Sequence, residues 1–170
     1  MTVTAVRKDP EHLTMTLEAE FDATPERVWQ LWADPRQLER WWGPPVYPAT
    51  VTAHDLRAGG RVEYHMTGPS GDQPRGYWEV LEADPPHRLV FRDGFANADG
   101  TPNSDMPLME GRVTIMGAGR RTRMSIETVF PDAAAMEQVL AMGMEQGITE
   151  AVGQIDAILA EDGVPSATGG

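Results

Sequence analysis

The chain of 170 residues contains no cysteine, which excludes disulfides, thiolate nucleophiles and cysteine-held zinc. Long apolar runs are missing as well. The opening segment MTVTAVRKDPEH has no apolar signal core, and nowhere does an apolar run approach the roughly 20 residues that span a bilayer. Membrane insertion is therefore not expected, and a cytoplasmic location is. Positive charge is scarce: 14 Lys and Arg stand against 26 Asp and Glu, a net charge of −12. Phosphate backbones and anionic membrane surfaces repel such a chain, so nucleic acid is not an expected partner. The one basic cluster, Arg120, Arg121 and Arg123, belongs to no wider stripe and reads as a solvated strand face. Histidines number only four. A metal site would want three converging ligands; His54, Glu63 and His65 are the nearest set, and their predicted faces diverge. No metal and no other cofactor is expected. The glycines of GPSG and GRR are turn residues rather than a phosphate-binding loop.

What is present is a pattern of short elements. LTMTLEAEF alternates, with Met15, Leu17, Ala19 and Phe21 on one face and Thr14, Thr16, Glu18 and Glu20 on the other, the mark of a half-buried strand. ATPERVWQLWAD follows with Thr24 as N-cap, Pro25 at the first helical position and an apolar stripe of Val28, Leu31 and Trp32. DPRQLERWWG repeats the device with Asp34 as cap and Gln37 placed for a capping box. Gly43 is the expected left-handed stop, and Pro44 and Pro45 forbid continuation. A ladder of strands comes next: TVTAHDL, RVEYHMT, RGYWEVLEA, HRLVFRDG, MEGRVTIMG and TRMSIETVF, separated by Gly, Pro and Asp turns. Between Gly94 and Pro107 lies a loop of a length that is often functional. Residues 132–162 read as one long helix, because Met136, Val139, Leu140, Gly143, Gly147, Ile148, Ala151, Val152, Ile155 and Leu159 recur at three-four spacing. Asp132 caps it, and the tail GVPSATGG is expected to fray.

The order predicts an α+β fold in which a twisted antiparallel sheet of about seven strands is covered by a single C-terminal helix. Such a sheet cannot close tightly on one helix at both ends, and the gap between them is a candidate pocket. One domain is expected over residues 1–170, with a core at about 13–160 and a flexible arm before it.

Four segments resemble, in order, the activator of heat-shock protein 90 ATPase homologue family within the START-like, SRPBCC or birch-pollen-allergen superfamily. They are FDATPERVWQLWADPRQLERWWGP, DLRAGGRVEYHM, EVLEADPPHRLVF and EQGITEAVGQIDAIL. The resemblance implies a helix-grip fold, a curved sheet wrapped around the C-terminal helix with an internal cavity. Superfamily members hold lipids, sterols, polyketides or plant hormones there, and some polyketide cyclases catalyse inside it. It leaves room for a homodimer through an exposed face. Near the final helix the family commonly carries a Gly-Trp pair, where this chain has Gly147 and Ile148; the smaller side chain reshapes the pocket, so no relative's ligand carries over.

Alternation assigns the inward wall: Val62, Tyr64 and Met66; Gly76, Trp78 and Val80; Leu89 and Phe91; Val113 and Ile115; Met124 and Ile126. Expected ligand contacts are Trp42, Tyr64, Met66, Trp78, Phe91, Val113, Ile115, Met124, Met144, Gly147 and Ile148. Ten methionines suit an irregular apolar surface. Adjacent helical residues point about 100° apart, so Trp41 is expected in the core and Trp42 toward the cavity mouth. For acid/base chemistry the candidates are His54, Tyr64 and Glu110; Asp55 and Arg57 read as an ion pair or turn brace. Three functions stay open: a binding module for a small hydrophobic or aromatic molecule, a cyclase- or dehydratase-like enzyme using the same cavity, and a chaperone-associated factor. The last rests on the family name alone, since the eukaryotic activators bring a second domain.

Overall fold

The computed structural model describes residues 3–163; the C-terminal tail singled out in the sequence lies almost wholly outside them. Eight strands form one fully antiparallel sheet in the order β1-β2-β8-β7-β6-β5-β4-β3. The strands are β1 (Val3–Asp9), β2 (Thr14–Phe21), β3 (Ala49–His54), β4 (Arg61–Met66), β5 (Arg75–Asp84), β6 (Arg88–Ala96), β7 (Met109–Ala118) and β8 (Arg121–Val129). Helices α1 (Pro25–Ala33) and α2 (Pro35–Trp41) follow β2, and α3 (Ala133–Ala141), α4 (Met144–Gly153) and α5 (Ile155–Gly163) follow β8. This is the helix-grip arrangement, with one strand more than expected. The additional strand is β1, in the segment expected to be a flexible arm. It pairs with β2 along Arg7↔Thr16 and Lys8↔Met15. An Arg7–Glu18 ion pair of 2.7 Å and a Lys8–Glu145 pair of 2.6 Å tie it to β2 and to α4. Its charged, half-exposed sequence carries no clean alternation, so backbone pairing at the sheet edge decides its conformation.

The helix caps follow the side chains that announce them. Thr24 Oγ1 accepts from the Arg27 amide at 3.2 Å, an Asp34 carboxylate oxygen from the Arg36 amide at 2.9 Å, and Asp132 from the Ala135 amide at 2.7 Å. Gly43 behaves differently from expectation. It is absent from the left-handed glycines, and α2 ends with Trp42 still in a right-handed conformation. Its missing side chain serves close packing instead, because a Cβ there would run into the Tyr47 carbonyl and the Ala49 amide.

The single C-terminal helix is corrected to three. Gly143 sits at φ 89°, between α3 and α4. The Met142 amide reaches back to the Gln138 and Val139 carbonyls and the Gly143 amide to Leu140, so the last turn of α3 tightens and closes in a left-handed residue. A second break falls at Gln154. Its side-chain amide donates to the Gly43 carbonyl at 2.7 Å and the Trp41 carbonyl at 3.4 Å, clamping the end of α2 to the kink. Three-four periodicity survives both breaks, because each segment keeps its apolar face toward the sheet.

Two apolar clusters result. The larger joins the inner face of the sheet to Val28, Leu31 and Trp32 of α1, Leu38 and Trp41 of α2, and Ile155 and Ile158 of α5. The smaller holds Met15, Met109 and Phe130 beneath Met136 and Val139 of α3. From Ala141 to Glu150 no side chain is buried; here the helical layer bridges the two clusters without filling the space beneath it.

Candidate functional site

That space is a cavity of about 300 Å³, a volume at the lower end of small-molecule sites. Its walls come from three places. The end of α2 and the turn after it give Trp42 and Pro44, the inner faces of β4, β6, β7 and β8 give most of the floor, and Met142, Gly143, Met144, Gly147 and Ile148 form the helical cover. Strand parity puts the floor residues there: alternate positions on β4 supply Tyr64 and Met66, and on β6 Phe91, Asp93 and Phe95.

The WWG segment is divided as its helical geometry requires. Trp41 is fully buried and donates its indole N–H to the Leu31 carbonyl at 2.9 Å. Trp42 keeps part of its surface and lines the cavity. Its ring meets Trp78 edge-on at 4.8 Å between centroids and lies 6.1 Å from Tyr64. Behind it, Trp78 stacks on Phe91 at 4.1 Å with their planes 21° apart. These aromatic contacts hold one wall rigid.

Of the residues expected at the pocket, Trp42, Tyr64, Met66 and Phe91 line the cavity, as do Met144, Gly147 and Ile148 of α4. Trp78, Val113, Ile115 and Met124 face inward but do not reach it. Met124 is covered by α1, where its sulfur accepts from the Trp32 indole N–H at 3.4 Å. Alternation tells inward from outward; it does not tell which inward stretch a helix fills.

The expected acid/base set does not assemble. His54 Nε2 lies 2.9 Å from the Trp32 carbonyl and braces the end of α1. Glu110 points to the opposite face of the sheet, where it pairs with Arg112 at 2.5 Å. Asp55 and Arg57 form the anticipated turn brace at 3.0 Å. The His54, Glu63 and His65 set does not appear among groups able to hold a metal; within the described residues only exposed Asp9, Glu11 and His12 come together.

Tyr64 alone of the three catalytic candidates reaches the cavity, and its partner is Asp93, 3.4 Å from the phenolic oxygen. The Tyr64 ring lies across Gly76, its register partner on β5; a Cβ at Gly76 would overlap the phenol oxygen. Asp93 is half-buried and borders both the cavity and a neighbouring recess. Burial raises its carboxyl to about 7, against a smaller lowering by the Tyr64 hydrogen bond. Burial and then the Asp93 charge drive the Tyr64 phenol well above its ordinary value. Among the described residues, the indole N–H groups of Trp42 and Trp78 have no hydrogen-bonded partner. Both lie close enough to the Tyr64 oxygen to oppose part of that rise, while remaining outside hydrogen-bond geometry. Sequence reasoning missed Asp93, although one further step along the Leu89–Phe91 parity reaches it. The segment HRLVFRDG already puts Asp93 on the strand, and β6 continues to Ala96; a carboxyl on an inward face simply breaks the apolar pattern by which that face is read.

Solved structures share this fold. No curated protein matches the sequence. Among solved structures, protein Ms6760 from Mycobacterium smegmatis is 49% identical, with a TM-score of 0.86 over 92% of this chain and 96% of that one. A protein from Arthrobacter aurescens is 46% identical, with a TM-score of 0.90 over 94% of this chain and 93% of that one. A Rhodobacter sphaeroides protein shares the fold at 23% identity and a TM-score of 0.79, over 92% and 98% of the two chains. The family model described as Activator of Hsp90 ATPase homolog 1-like protein matches residues 22–160, which takes in both tryptophans of the WWG segment, the Tyr64–Asp93 pair and the helical cover, and the chain belongs to that family.

Proposed function

We propose that this protein is a binding module that holds one small hydrophobic or aromatic molecule between its sheet and its C-terminal helices. The observation that carries the reading is the cavity: about 300 Å³, walled by Trp42, Phe91, Phe95, Ile126 and the methionines of the cover, with a single carboxyl group on its surface. An apolar ligand of roughly ten to twenty heavy atoms gains there the burial free energy of most of its surface, about 25 cal/mol per Å². Among the described residues no helix is long and apolar enough to cross a membrane, and a cytoplasmic location belongs to the same proposal.

Native mass spectrometry of protein purified from its own host, together with a thermal-shift screen of aromatic and lipid compounds, tests the reading. The expected result is a co-purifying or stabilising molecule whose binding is lost in Ile148→Trp, which fills the cavity from the cover. Stabilisation that survives the filled cavity overturns it. A second reading, a cyclase- or dehydratase-like enzyme, is favoured by one observation: Tyr64 and Asp93 are an inward polar pair, and a carboxyl near 7 suits general acid/base work. It requires turnover of a bound polyketide-like substrate, lost in Asp93→Asn with binding retained.

A further inference from the structure

The cavity is apolar except at one place. Tyr64 from β4 and Asp93 from β6 bring two oxygen-bearing groups to the same part of the wall, 3.4 Å apart. That spacing is long for a hydroxyl–carboxyl hydrogen bond, so the bond between them is weak and can yield to an acceptor brought by a ligand. Two further features orient them. The otherwise unpartnered indole N–H groups of Trp42 and Trp78 lie near the Tyr64 oxygen, which turns its hydroxyl proton away from them and toward Asp93 and the cavity. Gly76 leaves the room in which the Tyr64 ring lies.

Among the described residues, no element packed directly against Asp93 sets a charged partner on it. On β5 its register partner is Trp78, on β7 it is Met109, and the cover above the cavity offers Val139, Met142, Met144 and Ile148. Tyr64 is the titratable group that faces it. Arg75 borders a neighbouring recess that also touches Asp93, yet Asp93 makes no ion pair among the described residues. Tyr77, on the opposite face of the sheet, senses Asp93 only through its charge. An isolated carboxyl so placed holds its proton near neutrality, in agreement with a value of about 7, and a protonated carboxyl donates a hydrogen bond.

We propose that Tyr64 and Asp93 act together as a pair of hydrogen-bond donors for one uncharged oxygen acceptor, a carbonyl above all, on an otherwise apolar ligand. The inference rests on the cavity being a binding site and adds the chemical class that the site selects. A carboxylate ligand would meet Asp93 as a second acid, and a hydrocarbon would leave both donors unpaired, each of which weakens binding. An amine would instead require Asp93 ionised.

Isothermal titration with three molecules of one shape, naphthalene, 2-acetonaphthone and 2-naphthylmethylamine, tests this on the full chain at about pH 6 and about pH 8.5. At the lower pH the ketone should bind about tenfold or more tighter than naphthalene, the equivalent of one well-formed buried hydrogen bond. That advantage should shrink severalfold at the higher pH, as Asp93 loses its proton, leaving the part that Tyr64 supplies. Tyr64→Phe should remove most of it at both pH values. Asp93→Asn, which keeps a donor but cannot titrate, should abolish the pH dependence. Thermal unfolding of parent and variants reports that each is folded, and naphthalene should bind Tyr64→Phe no more weakly than the parent, because one donor it would leave unpaired is gone. A ketone that binds no better than naphthalene overturns the donor pair and leaves the binding cavity standing. An amine that binds best, and better still at the higher pH, overturns it in favour of a cation site. If none of the three binds, the cavity reading itself falls and the inference falls with it.

Discussion

Trp41 and Trp42 are adjacent in the chain and differ in almost every physical respect. Trp41 is sealed within the core, with its one polar atom hydrogen-bonded to the Leu31 carbonyl. Its truncation leaves a cavity with no means of collapse, and Trp41→Ala should cost about 3–5 kcal/mol in urea unfolding. Trp42 already borders an open space, so Trp42→Ala enlarges a cavity rather than creating one, and its loss should be clearly smaller while binding in the cavity changes more. Equal losses in both variants would contradict this division. Asp93 carries a residue-scale prediction of another kind. Its folded value of about 7 lies above the ordinary carboxylate range, so between about pH 4 and pH 7 the folded chain holds a proton that the unfolded chain has released. Stability from this group is therefore lost as pH rises through that window and stays lost above it, by up to about 4 kcal/mol before solvent relaxation. Asp93→Asn removes the effect. Its melting temperature relative to the parent should rise steadily from about pH 4 to pH 7 and then level off; a difference independent of pH would show that Asp93 is already ionised in the fold.

At the scale of elements, the C-terminal helical layer is the part whose behaviour follows least from the sheet. α3 is pinned by Met136 and Val139 and α5 by Ile155 and Ile158, but the first turns of α4 lie over the cavity with no buried side chain. Segments with few buried contacts open at low free-energy cost. Amide exchange should accordingly be faster for residues 145–150 than for 155–159 or for the centres of β7 and β8, and a ligand in the cavity should slow it selectively. Uniform protection along the three helices would mean that the cover is held by something other than its buried face. The same layer shows where the sequence is legible. Its apolar periodicity runs unbroken from Met136 to Leu159, so one helix was the natural reading, and the breaks at Gly143 and Gln154 depend on a backbone φ and on a side-chain clamp to the end of α2. Strands β2 and β4 to β8 announce themselves by alternation and turn residues. β1 does not, because an edge strand held by backbone pairing and ion pairs has no need of an apolar face. In the site, parity located Tyr64, Met66 and Phe91, and helix geometry located Trp42. What parity cannot supply is the third dimension: Val113, Ile115 and Met124 are as inward as Phe91 but belong to the filled core beneath α1, α2 and α5.

For the whole molecule, the governing quantity is the net charge of −12, spread over a surface where the acidic groups have too few partners. Every ion pair among the described residues keeps at least one well-exposed member, as in Arg7–Glu18, Arg57–Asp55 and Arg123–Glu20. Exposed pairs of this kind contribute at most about 1 kcal/mol each, and salt weakens them. The repulsion among unpaired carboxylates acts over the whole surface of the compact state and is relieved when the chain expands. Screening therefore acts in two directions, and with 26 acidic residues against 14 basic ones the relief of repulsion outweighs the loss of the pairs. Raising sodium chloride from about 10 mM to about 200 mM, over which the Debye length falls from roughly 30 Å to below 10 Å, should raise the melting temperature by a few degrees. The rise should flatten above that range, because screening saturates once the Debye length is shorter than the spacing between surface charges. A linear increase continuing to molar salt would point to salting-out of apolar surface instead. A fall in melting temperature over the first 200 mM would show that the surface pairs, and with them the tie of β1 to β2 and α4, contribute more to this fold than its charge imbalance takes away.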